Sequence, residues 1–129
     1  MEHEESLVEA FVVVNKRNRV KELLSKKKKR AKFLSLLPHF SDLDPRFVKD
    51  IPSNQQTPGQ IYKILKEKGA LDKCYIISSD PNIDQKIMKL SDTLDIVVGS
   101  GYGTLISCVP GKLGYYEGES YGDRCILER

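Results

Sequence analysis

Asp80, Asn82 and Asp84 stand at alternate positions, the spacing of the first three oxygen ligands in a calcium-binding loop. The match stops there, because Gln85 holds the place of the glycine that lets such a loop turn and Ser91 the place of its bidentate glutamate. Asp80-Pro81 is therefore expected to make a tight turn between strands. A second carboxylate pair, Glu117 and Glu119 in Tyr115-Tyr116-Glu117-Gly118-Glu119, has the groups that general acid–base chemistry needs. Strand alternation would put Tyr115 and Glu117 on one face, which makes Glu117 solvent-facing or paired with Lys or Arg.

The two histidines are His3 and His39, and the three cysteines are Cys74, Cys108 and Cys125. A cysteine–histidine nucleophile pair or a zinc site would need His39 and these cysteines to converge in space, and nothing in the spacing brings them together. His39, Asp42 and Asp44 also offer acid–base groups, but helix capping accounts for the acids equally well. The glycine-rich run Gly99 to Thr104 would have to connect a strand to a helix N-terminus to cradle phosphate. Here it follows a helix, whose C-terminal carbonyls repel phosphate, so it reads as a helix stop and connector. No metal and no cofactor is expected.

The largest chemical signal is charge. Residues 16 to 32 hold ten cations, Lys16, Arg17, Arg19, Lys21, Lys26, Lys27, Lys28, Lys29, Arg30 and Lys32, against the single acid Glu22, a local net of +9. The rest of the chain, with eleven bases and seventeen acids, is −6. Lys16, Arg17, Arg19, Lys26, Lys27, Lys28, Lys29, Arg30 and Lys32 are the candidate contacts to nucleic acid or an acidic partner. A solvated helix face competes with this reading, since Lys26 to Arg30 follow a helix whose C-terminal dipole favours cations. Phe33 is the only interleaved aromatic residue, which leaves no base-stacking platform.

Positioning these groups requires helices first and strands later. Leu7, Ala10, Phe11, Val14, Val20, Leu23 and Leu24 repeat at helical spacing and predict a helix over residues 5–24, followed by one over 26–37 that Pro38 stops. Asp44-Pro45 predicts a short helical turn to Lys49, and residues 51–56 a polar loop. Thr57-Pro58-Gly59-Gln60 is a capping box opening a helix that Gly69 ends. Beyond Gly69 the β-formers Cys74 to Ile77 predict a strand. Residues 83–90 fit either one helical stripe or a hairpin partner over 86–90, and the hairpin is preferred, followed by a helix over 92–98 capped by Gly99. Strands over 104–109, 112–117 and 124–128 have connections short enough to force antiparallel pairing.

The chain of 129 residues is long enough for one core, and the expectation is a single domain: a helical part over 1–69 and a mainly antiparallel β part over 70–129. The fold class expected is α+β, with N-terminal helices packed on a four- to five-stranded antiparallel sheet that carries one helix. An odd number of cysteines without a C-x-x-C pair fits a reducing compartment, and the acidic start and absence of a long apolar run fit a cytoplasmic protein with no membrane span. The reading leans away from an enzyme and towards a regulatory or protein-interaction module, with a protein partner or self-association. The rivals are nucleic-acid binding through residues 16–32 and a small enzyme with a pocket of Asp80, Ser100, Tyr102 and Glu117 at the loop end of the sheet.

Overall fold

The computed structural model describes residues 2–129. Helix α1 (Glu2–Phe11) gives way at Val12-Val13-Val14, three β-branched residues that crowd a helical turn. Val12 instead bridges Leu43, and the Val13 N–H donates to the Asp42 carbonyl at 2.9 Å. A 3-10 turn over Val14–Lys16 leads into α2 (Arg17–Ser25), and Lys26, in extended conformation, separates it from α3 (Lys27–Leu36). The single helix expected over 5–24 is thus two helices. The second expected helix is present as α3, and Pro38 lies just beyond its end.

Residues 45–49 are corrected in part. Pro45–Phe47 is the expected turn, capped by Asp44, but Val48–Asp50 is strand β1. Three residues are too few to display an alternating pattern, so this strand has no signal of its own. At α4 (Pro58–Glu67) the capping box is complete: Thr57 Oγ1 accepts from the Gln60 N–H and Gln60 Oε1 from the Thr57 N–H, both at 3.2 Å. Gly69 follows at φ 102°, a left-handed position. Strands β2 (Lys73–Ser78) and β3 (Ile87–Lys89) form the preferred hairpin, and α5 (Leu90–Val97) starts two residues earlier than expected. Strands β4 (Thr104–Val109), β5 (Leu113–Glu117) and β6 (Cys125–Glu128) complete the chain.

Among the described residues the six strands form one antiparallel sheet in the order β1-β6-β5-β4-β2-β3, one strand more than the upper expectation because β1 joins the edge beside β6. Alternation along the strands divides the buried side chains into two sets. Tyr75, Ile77, Leu105, Tyr116, Cys125 and Leu127 pack with Leu7, Phe11, Val20, Leu24, Phe33 and Leu37 of the N-terminal helical region. Ile76, Ile106, Cys108, Tyr115 and Ile126 pack with Ile61 and Leu65 of α4 and Leu90, Leu94 and Val97 of α5. The α+β class holds, with helical segments against both faces of the sheet. Each fully buried Leu or Ile contributes about 1.5–3 kcal/mol relative to exposure, so both interfaces matter to stability.

The segment after α3 crosses the sheet end closely. A Cβ on Gly103 would lie 2.3 Å from the Pro38 nitrogen, and one on Gly118 would lie 2.6 Å from the Pro38 carbonyl oxygen. The Tyr116 hydroxyl donates to the Leu37 carbonyl at 2.7 Å and accepts from the Phe40 N–H at 3.1 Å. These contacts hold residues 37–40 in place beside α2 and α3. No helix of the described residues is long and apolar enough to cross a membrane.

Candidate functional site

Arg30 enters the structure as a buried cation, 6% exposed, although its sequence neighbours are a solvated run. Its Nε and Nη2 donate to the two Asp84 oxygens at 3.0 and 2.8 Å, and its Nη1 donates to Glu4 Oε2 at 2.8 Å. Glu4 Oε2 also accepts from the Tyr75 hydroxyl at 2.6 Å, and Asp84 Oδ1 accepts from the Ser78 N–H at 2.9 Å. Burial alone would lower the Arg30 pKa, but Asp84 and Glu4 together raise it, so the guanidinium stays charged. Arg30 therefore ties α3 to α1 and to the turn after β2, and does not belong to the solvent-facing basic set. Asp84 is a structural partner of Arg30, while Asp80 Oδ1 accepts from the Asn82 N–H at 3.0 Å and shapes the expected turn.

Glu117 is buried, which corrects the solvent-facing option. Its Oε1 accepts from the Tyr115 hydroxyl at 2.7 Å and lies 3.4 Å from Arg124 Nε, and its Oε2 accepts from the Gly99 N–H at 2.9 Å. Burial pushes the carboxyl above its ordinary range, and the donors from Tyr115 and Gly99 and the charge of Arg124 oppose that rise. This arrangement fastens the loop after α5 to β5. The Ser79 N–H donates to the Gly103 carbonyl at 2.9 Å, so the turn carrying Asp80 meets the glycine-rich loop at the same sheet end. Ser100 and Tyr102 are exposed there, and the Ser100 hydroxyl accepts from the Tyr102 N–H at 3.3 Å. Asp80 and Glu117 are thus drawn inward into turn and loop contacts while Ser100 and Tyr102 remain outside.

The three cysteines are buried free thiols. Burial raises the Cys74 pKa to about 11 and that of Cys125 to about 12, and holds Cys108 higher still, which keeps all three protonated and weakly nucleophilic. His39, by contrast, is exposed, with its Nε2 2.6 Å from Glu119. His3 stacks on Tyr75 with ring centroids 5.2 Å apart, and its Nδ1 is 3.1 Å from the hydroxyl of Ser107, which is only 2% exposed. Among the described residues no three His, Cys, Asp or Glu side chains are grouped to hold a metal ion.

Of the sequence-selected cations, Lys16, Arg19, Lys26, Lys27, Lys28 and Lys32 are exposed. Arg17 is half-buried, its Nε donating to the Val12 carbonyl at 2.9 Å, and Lys29 pairs with Glu22. The run does follow a helix, since Lys26 is the residue at the C-terminal cap of α2, but it also begins the next one. Lys27, Lys28 and Lys29 form the first turn of α3, and Lys26 precedes it without a side-chain cap. Cations at a helix N-terminus face its positive end, which is unfavourable by roughly 0.3–1 kcal/mol for an exposed charge. The run thus lies between the negative end of α2, which favours it, and the positive end of α3, which does not, and Lys29 is further held by Glu22 of α2.

The basic helices also bound a recess. Lys16, Arg19, Val20 and Leu23 on one side, Phe33, Ser35 and Leu36 on another, and His39 to Asp42 on the third enclose about 440 Å³. That is within the usual range of ligand pockets, about 300–1,000 Å³. Val20 and Phe33 are buried, Leu23 and Phe40 half-buried, and Leu36 is 52% exposed, so the floor is apolar and one large side chain stands open. A smaller recess of about 250 Å³ lies between α1 and α2, but its Glu4 is already committed to Arg30 and Tyr75, and its Lys21 to Glu9. Asp80, Ser100, Tyr102 and Glu117 do not line the larger cleft.

No family model, curated protein or solved structure matches this chain. The cleft residues Leu36, His39 and Phe40 carried no sequence signal as a group. The helical periodicity marks Leu36 and Phe33 alike as apolar, and only the path of residues 37–42 across the sheet end separates the exposed one from the buried one.

Proposed function

We propose that this chain is a protein-interaction module that receives its partner in the cleft formed by α2, α3 and residues 39–42. The observation that carries this reading is the apolar floor of Val20, Leu23, Phe33, Leu36 and Phe40 beneath a rim bearing Lys16 and Arg19. An open apolar recess with a polar rim is the usual anatomy of a recognition surface. Further support comes from the buried polar groups outside the cleft. Arg30, Glu4, Asp84 and Tyr75 form one bonded network and Tyr115 and Glu117 a separate pair, and the thiols are buried and protonated, so these groups are occupied with holding the fold. Three unpaired thiols also suit a reducing compartment such as the cytoplasm.

Selection of a displayed random-peptide library on the intact chain tests the reading. Sequences enriched on the unmodified protein should be lost on Leu36→Asp and retained on Ile96→Asp, which alters an exposed position of α5 on the opposite side of the sheet. Failure to enrich any Leu36-dependent sequence would count decisively against the cleft.

A further inference from the structure

We infer that the partner segment is acidic and amphipathic, with a few apolar side chains seated in the cleft and carboxylates lying along a lysine stripe of α3; this rests on the cleft being the interface. Leu36 opens into the cleft, and Lys32 and Lys28 precede it by four and eight residues, so the three share one face of α3. Both lysines are exposed, and Lys28 stands about 12 Å from Leu36 along the helix axis. On the other wall, Arg19 precedes Leu23 by four residues and shares its face of α2, and Lys16 adjoins the helix start. Cations therefore flank the apolar floor from two helices and continue beyond it in one direction. Asp42 is the one carboxylate in the lining, and its backbone carbonyl is engaged by Val13.

This layout selects partner chemistry. A purely apolar segment would leave the flanking lysines without a counter-charge, and a basic segment would meet Lys16 and Arg19 in the lining and Lys32 and Lys28 farther along α3. A nucleic-acid strand would use the same cations. The floor, however, consists of aliphatic side chains and of phenyl rings that are buried or half-buried, Phe33 and Phe40. Such a floor favours side chains such as Leu or Phe over stacked bases. On this view Lys28, in the first turn of α3, marks the far end of the partner's path.

The test uses the intact, isotope-labelled chain and synthetic peptides of about 14 residues, roughly 21 Å as a helix. One peptide carries Leu at helical i, i+4 spacing with Glu elsewhere. The second replaces every Glu by Lys, and the third is acidic with its leucines replaced by serine. The first should shift backbone amide resonances of residues 16–42, bind about tenfold more weakly to Arg19→Glu/Lys32→Glu, and weaken as salt rises from about 50 to about 200 mM. The other two should bind at least about tenfold more weakly than the first.

Equal binding of the Glu and Lys peptides, lost on Leu36→Asp, would refute the acidic partner while leaving the cleft reading intact. Response of residues 16–42 to a duplex DNA or RNA oligonucleotide and to none of the peptides would overturn both. No response to the first peptide, alongside Leu36-dependent library sequences without acids, would again reject the partner chemistry alone.

Discussion

Arg30 and Asp84, 54 residues apart, face each other through two parallel hydrogen bonds of 3.0 and 2.8 Å, with Glu4 closing the other side of the guanidinium. Replacing Arg30 by Ala would leave Glu4 and Asp84 without their shared cation in a buried setting and should cost about 3–5 kcal/mol. Arg30→Lys keeps the charge but cannot reproduce the two-pronged contact, and should recover only part of that loss. Urea unfolding of the two variants against the parent decides it. A loss below about 1 kcal/mol for Arg30→Ala would mean that the network adds little to the fold.

Gly103 should not tolerate a methyl group. Its Cβ would sit 2.3 Å from the Pro38 nitrogen and 2.4 Å from the Leu37 carbonyl carbon, both backbone atoms that cannot rotate away. Gly103→Ala is expected to lower stability by about 1–3 kcal/mol and to loosen the 37–40 segment that walls the cleft. Gly122→Ala, with nothing within 4 Å of its Cβ, serves as the matched control. Equal thermal midpoints for the two variants would contradict the close crossing.

Lys26 occupies the N-cap of α3 without capping it. Lys26→Ser supplies a hydroxyl acceptor for the exposed N–H groups of the first turn, while the charge it removes lies between the negative end of α2 and the positive end of α3 and so changes the balance little. It should raise stability by about 1 kcal/mol, read as an increase in thermal midpoint. If that lysine serves acidic-partner binding, the same variant should also show a weaker salt dependence for the acidic peptide.

The buried Glu117 makes a signed prediction for pH. Its carboxyl ionises above the ordinary value of 4.5 in the folded chain, chiefly because burial disfavours the charge, and near that value when unfolded. Below the unfolded value both states hold the proton and the carboxyl adds no pH dependence. As pH rises through the interval up to the folded value, the native state binds more protons than the unfolded one, so this group lowers stability, and the loss is complete above the folded value. Glu117→Gln should therefore remove a downward slope in stability that begins as pH rises past about 4.5. Denaturant midpoints measured along that rise test this, and parallel curves for the two proteins would contradict it.

Cys74, Cys108 and Cys125 should resist thiol reagents in the native chain, since all are buried and protonated. Native mixing with a disulfide reagent should give labelling no faster than global opening, and urea should expose all three. Rapid labelling of one thiol under native conditions would show that its surroundings open locally.

The capping box of Thr57 and Gln60, the stop at Gly69 and the strands after Gly103 were legible along the chain because each depends on residues a few positions apart. So was the placement of helical segments before the main strands, since side-chain periodicity follows directly from backbone geometry. Tertiary structure alone decided the rest. Val48–Asp50 became a strand only because β6 offers it an edge, and Arg30 turned inward only because Glu4 and Asp84 meet it there. The cleft exists because Gly103 and Gly118 let residues 37–40 pass close over the sheet end. Burial and charge pairing between distant segments depend on chain path, and a local pattern of apolar and charged residues does not encode that path.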